Sequence, residues 1–152
     1  MSDVQTRTTG LLAVVFAALV GAMLAASPAF AQKAPDPVTQ EVLVKSTLLT
    51  FNDANVTGNY TVMHAKLAKP FRDKFSPDRL KEVFKVFHEK QIDIDLIAAK
   101  QPTASKPVQV NDSGVLQLHG YFDTSPSRVH YELDYIMSDG EWKPIRINVQ
   151  LK

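Results

Sequence analysis

Charged and polar side chains alternate with apolar ones in the last third of the sequence, an arrangement that could place a catalytic base beside an acid. The strand register that sets apolar side chains opposite one another aligns His119, Glu132 and Arg146 in one row across three strands. Directly opposed side chains on one face of a sheet have Cβ atoms about 5 Å apart. Glu132 could then act as a general base, with His119 or His130 as the acid. Arg146 could bind an anion.

A second row on the same face contains Tyr121, His130 and Asn148, which are candidates for ligand binding. The simpler interpretation of both rows is a solvated or dimer-forming sheet face held by cross-strand ion pairs. A metal held by His119, Glu132 and His130 is a weaker alternative, because no tight ligand spacing supports it. The sequence therefore predicts no metal site.

These rows depend on how the last two strands are connected. Residues 138–140, Ser-Asp-Gly, can form a three-residue loop with Gly140 in the left-handed conformation. That loop sets Leu133 opposite Ile145. A two-residue Asp-Gly turn is the alternative, but it slips the register by one and places Leu133 beside a charged side chain. The same test on the preceding hairpin pairs Leu118 with Leu133.

Two further polar residues lie outside the strands. Tyr60 and His64 are one helical turn apart, so both could project into a cavity beside the sheet. Because a lone helical histidine is more often a packed or surface residue, we treat Tyr60 and His64 only as candidate ligand-binding residues.

The N-terminus carries the pattern of an export signal. An uncharged apolar run, Leu11–Ala26, is followed by Ala29-Phe30-Ala31, the small-x-small pattern that signal peptidases recognise. The run is shorter than the roughly 20 residues that span a bilayer. We therefore predict a signal peptide over 1–31 that is cleaved after Ala31, with an uncleaved anchor as the alternative. The mature protein is predicted to be periplasmic or secreted, with no membrane attachment.

Composition excludes several classes of protein. The chain has no cysteine and a net charge of +1, so it is neither a thiol enzyme, a disulfide scaffold nor a lipoprotein. No basic run predicts nucleic-acid binding. No Gly-rich phosphate loop is present, and we expect no cofactor.

Three helices are predicted after a short flexible leader, residues 32–37. Asp36-Pro37 is typical of a helix start, and Gly58 is typical of a helix end. A second helix begins at residue 59 and ends before Pro70. The third begins at Ser76-Pro77, a capping residue followed by proline at the first helical position.

From residue 92 the apolar period changes from about 3.6 to 2, which predicts strands. The predicted strands cover 92–99, 107–112, 115–122, 128–137 and 141 onward. Helices followed by a meander of strands indicate an α+β fold. We predict three N-terminal helices packed on a strongly curved antiparallel sheet of about five strands, all in a single domain over 38–152.

The end of the chain resembles the nuclear transport factor two-like superfamily of α+β cones. Members often end in a strand of the form D-G-x-W-(K/R)-apolar-x-x-I-x-V, and Pro144 departs from this form by replacing the usual aliphatic residue. The matching residues are Asp139, Gly140, Trp142, Lys143, Ile147 and Val149. The segments "FNDANVTGNYTVMH" and "LAKPFRDKFSPDRLKEVF" are also similar to the paired helices of small exported domains in this superfamily.

The resemblance implies a cone that often dimerises through its exposed sheet face, and it leaves the activity open. The superfamily includes steroid isomerases, polyketide cyclases, dehydratases and non-enzymatic binding modules. The isomerases pair a tyrosine with buried acids, but Glu132 and Asp134 lie on strands with different neighbours. We therefore expect an exported, non-catalytic module that binds a small apolar ligand or a partner. A cofactor-free isomerase, dehydratase or cyclase that uses the polar cluster on the sheet is the alternative.

Overall fold

A computed structural model describes residues 32–152, and the predicted signal peptide, residues 1–31, lies outside the described residues. The described residues form an α+β fold with a five-stranded antiparallel sheet. Residues 32–36 have no regular secondary structure, although Ala34 packs against the core. Within 32–152, no helix combines the length and the apolar character needed to cross a membrane.

The first helix, α1, has the boundaries that its capping residues predict. It runs from Pro37 to Thr57, and the Asp36 carboxylate accepts hydrogen bonds from the backbone N–H groups of Val38 and Thr39, both at 3.0 Å. These two contacts satisfy N–H groups that have no partner within the helix. The helix ends at Gly58, whose φ of +68° is the left-handed conformation that glycine adopts most readily.

The other two predicted helices are each divided. Four short helices follow α1: α2 (Thr61–Lys66), α3 (Lys69–Arg72), α4 (Pro77–Val83) and α5 (Lys85–Glu89). Pro70 lies in the first turn of α3, although it was predicted to end a helix. Proline is tolerated there because the N–H groups of the first turn have no partner within the helix. Phe84, at φ −101° and ψ 10°, separates α4 from α5. The count of three helices is therefore too low.

The segment 92–99 was predicted as a strand, but Asp95–Ala99 form a 3₁₀ helix. Ile94 and Ile97 are both buried and lie three residues apart, a spacing that places both side chains on one face of a 3₁₀ helix. Asn52 on α1 accepts a hydrogen bond from the Ile94 backbone N–H at 3.0 Å. This hydrogen bond satisfies the Ile94 N–H group, which in a strand would be hydrogen-bonded to a neighbouring strand.

The strands of the sheet are β1 (Pro102–Ala104), β2 (Gln109–Val110), β3 (Leu116–Phe122), β4 (Val129–Ser138) and β5 (Glu141–Leu151). Their order in the sheet is β1-β3-β4-β5, and β2 also pairs with β3. The pairing of β3 with β4 is as predicted, with Leu118 opposite Leu133 and Gly120 opposite Tyr131. Alternate residues of β3 and β4 are buried and form one core with Leu48 and Phe51 of α1.

The predicted pairing of β4 with β5 is wrong by two residues. The turn has two residues, Asp139 and Gly140, with φ of +56° and +80°, a type of turn whose twist suits a hairpin. Trp142 is therefore opposite Met137. Asp134 is opposite Arg146 and Tyr135 is opposite Pro144, so Ile145 is an extra residue of β5, a β-bulge. Beyond this bulge, Leu133 faces Ile147. Because the total shift is even, the polar residues keep their face and change their neighbours.

Candidate functional site

Two surfaces of the sheet carry candidate functional residues, and the first is the polar face of β3, β4 and β5. His119 is opposite Glu132, as predicted. Glu132 is opposite Asn148, and Arg146 is opposite Asp134, so the predicted row of His119, Glu132 and Arg146 does not form as a straight line. The structure nevertheless brings these residues together, because Arg146 reaches diagonally across the strands.

Five side chains on this face, His119, Asp134, Arg146, Glu132 and Asn148, form a chain of contacts that we call the polar ladder. Asp134 lies between His119 Nε2, at 3.2 Å, and the Arg146 guanidinium, at 3.8 Å. Arg146 Nη2 donates to Glu132 Oε2 at 2.6 Å, and Asn148 Nδ2 donates to the same oxygen at 3.2 Å. Asp134 is only 9% exposed, and sequence reasoning missed its central place in the ladder because the register was shifted.

The environment of the polar ladder does not favour proton transfer. The hydrogen bond from Asn148 and the positive charge of Arg146 hold the pKa of Glu132 below its ordinary value. A general base is most effective when its pKa is near the working pH, so a carboxylate of lowered pKa is a weak one at neutral pH. The recess beside the ladder has a volume of about 80 Å³. Typical ligand pockets are roughly 300–1,000 Å³.

Tyr121 and His130 are opposed on the same face, and their ring centroids are 5.5 Å apart. The Arg128 guanidinium lies 5.0 Å from the centroid of the Tyr121 ring. These contacts form a partly exposed aromatic and cationic cluster beside the polar ladder. Within 32–152, no group of three or more histidine, aspartate or glutamate side chains is arranged to hold a metal ion.

Neither Tyr60 nor His64 lines one of the main cavities formed by residues 32–152. Tyr60 is buried, its hydroxyl is hydrogen-bonded to the Asn55 side chain, and its ring stacks on Phe84 with centroids 6.3 Å apart. His64 Nε2 lies 3.2 Å from the backbone oxygen of Arg72. Both residues therefore hold neighbouring segments of the helical layer together.

The second surface is a groove between α1, α2 and the β4–β5 hairpin, which we call the α1 groove. Its volume is about 590 Å³. The main apolar residues that line it are Val42, Leu43, Met63, Leu67, Trp142 and Ile147. Hydroxyl groups of α1 also line it, at Thr39, Ser46, Thr47 and Thr50. Thr39, Ser46 and Thr50 are seven and four residues apart, which places them along one stripe of the helix. This spacing is a sequence signal that could have revealed the groove.

Tyr135 forms a fixed part of the wall of the α1 groove. Its hydroxyl oxygen lies 3.0 Å from the Leu43 carbonyl oxygen and 3.0 Å from Thr47 Oγ1, so it is hydrogen-bonded to α1 twice. Burial raises the pKa of Tyr135 well above its ordinary value, which keeps the hydroxyl neutral. These bonds attach α1 to β4 directly beneath the groove.

The lining of the α1 groove includes three charged residues, Lys66, Lys143 and Glu141. Lys66 Nζ donates to Thr50 Oγ1 at 2.8 Å. Arg72 and Lys143 share the carboxylate of Asp139, each at 3.0 Å. The hydrogen bonds from Lys143 and Arg72 lower the pKa of Asp139 to about 2.

Asp139 should make stability depend on pH in the acid range. Its pKa falls from 3.8 in the unfolded chain to about 2 in the folded one. Its contribution is therefore complete above pH 3.8 and disappears as the pH falls towards 2. Asparagine tolerates the left-handed turn conformation, so Asp139→Asn removes the charge without straining the turn. We expect Asp139→Asn to be less stable than the wild type in urea at neutral pH, and equally stable near pH 2. Asp112→Asn, in another turn, is the control, and an equal loss at all pH values would contradict the prediction.

Comparison with models of known protein families gives no match, and comparisons with curated proteins and with solved structures give none either. The resemblance to the nuclear transport factor two-like superfamily therefore stays a prediction, as do export and dimerisation.

Proposed function

We propose that the chain is an exported, non-catalytic module that binds a small apolar ligand in the α1 groove. The observation that carries this proposal is the groove itself, whose volume of about 590 Å³ is that of a typical ligand pocket. Its lining combines apolar side chains with a few converging hydroxyl groups, which is the usual composition of such a pocket.

The proposal includes the nuclear transport factor two-like resemblance, with helices covering one face of a strongly curved sheet. In that arrangement the α1 groove lies between helices and sheet, and the polar ladder lies on the other face, where a second copy of the chain would bind. The alternative function, a cofactor-free isomerase, dehydratase or cyclase at the ladder, has weaker support. The ladder carboxylate Glu132 is already paired with Arg146, and the recess beside it is small.

A fluorescence titration tests ligand binding. Trp142 is the only tryptophan of the chain and lines the α1 groove, so its emission reports on an occupant. We expect 1-N-phenylnaphthylamine, an uncharged apolar probe, to quench Trp142 saturably in the mature chain. Val42→Gln should weaken binding about fivefold, since it removes about 1 kcal/mol of apolar burial.

Val38→Gln is the matched control. Val38 is also an exposed valine of α1 and lies one turn before Val42, but it does not line the groove. We expect its affinity for the probe to equal that of the wild type. The proposal is contradicted when the wild type shows no saturable quenching, or when the two valine variants lose affinity equally.

A further inference from the structure

The position of Lys66 indicates what kind of ligand the α1 groove takes. The Lys66 side chain extends from α2, and its ammonium group is held at 2.8 Å by Thr50 Oγ1 on α1. Both residues line the groove. Lys66 is exposed, and its contact with Thr50 directs the ammonium group towards the mouth of an apolar groove.

Lys66 takes part in none of the ion pairs formed among residues 32–152. Nearby, Arg72 and Lys143 share the single carboxylate of Asp139, and Glu141 lies on the groove lining. Of the two lysines that line the groove, Lys143 is therefore already paired with Asp139, whereas the charge of Lys66 contacts no carboxylate of the described residues. An anionic group at Lys66 would balance that charge.

The rest of the groove is suited to an extended apolar chain. The lining residues of α1 run from Thr50 back to Thr39, a distance of about 16 Å along the helix. Trp142 and Ile147 of β5 form the opposite wall. The lining thus carries a positive charge at one end, and apolar side chains and hydroxyl groups along its length.

We infer that the α1 groove binds an amphipathic anion, a straight-chain carboxylate whose head group pairs with Lys66 and whose chain lies along α1. This inference rests on the proposed function, because it assigns a ligand class to the same groove. Thr50 is then a positioning residue, since its hydroxyl holds the Lys66 ammonium where the head group would lie.

Three ligands of equal chain length test the inference by titration of Trp142 fluorescence in the mature chain. They are decanoate, decanol and decylamine, which carry negative, neutral and positive head groups. At neutral pH we expect decanoate to bind about tenfold more tightly than decanol, and decylamine to bind more weakly than either. Added salt should weaken the binding of decanoate and leave that of decanol unchanged, because the charge pair is near the surface.

Variants then distinguish the contribution of the Lys66 charge to the affinity from that of the apolar lining. Lys66→Gln should reduce the affinity for decanoate five- to tenfold and leave that for decanol unchanged. Thr50→Val should produce a smaller loss, about threefold, again for decanoate alone. Lys74→Gln, which removes an exposed lysine that does not line the groove, is the matched control and should bind both ligands like the wild type.

The outcomes distinguish the inference from the proposed function. Equal binding of decanoate and decanol, or an equal loss of both in Lys66→Gln, overturns the anionic head group and leaves the groove as a binding site. Tighter binding of decylamine overturns it as well and indicates Glu141 as the contact. Binding of none of the three ligands overturns the inference, and it overturns the proposed function as well when 1-N-phenylnaphthylamine also fails to quench Trp142.

Discussion

Replacing Gly120 with alanine is expected to lower the free energy of unfolding by about 3 kcal/mol or more, as severe overpacking does. A Cβ atom at this position would lie 2.3 Å from the Thr103 carbonyl oxygen of β1 and 2.6 Å from the Tyr131 hydroxyl. The first contact is with backbone, so it cannot be relieved by rotating a side chain. We expect β1 to separate from β3, and urea denaturation of the mature chain measures the loss.

A double variant tests the cause of that loss. Tyr131→Phe removes the hydroxyl contact and retains the Thr103 contact, so combining it with Gly120→Ala should restore only part of the stability. A loss below about 0.5 kcal/mol for Gly120→Ala would contradict the packing described for β1, β3 and β4, because surface substitutions have effects of that size.

Phe51→Ala is expected to cost about 3–5 kcal/mol, the usual range for removing a buried phenylalanine. Phe51 is 1% exposed and lies at the centre of the contact between α1 and the later helices. Its ring packs edge-on against Phe84 and Phe87, each with centroids 5.0 Å apart. The substitution therefore removes both aromatic contacts and leaves a cavity that α4 and α5 cannot fill without moving.

Phe51→Leu is the control, because it keeps an apolar side chain and a smaller cavity. We expect a loss of less than half that of Phe51→Ala in urea denaturation. A domain of this size has a total stability of about 5–15 kcal/mol, so the loss expected for Phe51→Ala is a large fraction of the total. Equal losses in the two variants would contradict this expectation, because both variants lose the ring contacts with Phe84 and Phe87 and only Phe51→Ala leaves the larger cavity.

Local signals were sufficient to predict some elements and not others. The limits of α1 follow from Asp36 and Gly58, since capping depends on residues next to each other in the sequence. The pairing of β3 with β4 follows from the apolar alternation alone. The 3₁₀ helix over Asp95–Ala99 could not be predicted in the same way, because it depends on Asn52, more than forty residues earlier.

The candidate site was predicted in part for a similar reason. The alternation of residues assigned His119, Glu132 and Arg146 to one face correctly, and an error of two residues in register leaves the face unchanged. The alternation could not identify Asp134 as the carboxylate that contacts the His119 side chain. The α1 groove itself was not predicted, because the cavity expected beside the sheet was assigned to Tyr60 and His64, which do not line this groove. Its lining comes from α1, α2 and the hairpin, and only their packing brings Lys66 beside Thr50.

The bulge in β5 has a consequence for how the length of this strand can vary during evolution. Trp142 and Pro144 lie on the groove side of β5 before the bulge, and Ile147 lies on the same side after it. Pro144 and Ile147 are three residues apart, whereas side chains of a regular strand return to one side every two residues. A deletion at Ile145 would restore simple alternation and leave every other residue of β5 on its present side. An insertion or deletion elsewhere in the strand would turn one half over and exchange groove residues for ladder residues. Homologous chains should therefore tolerate a change of length at the bulge and resist one on either side of it.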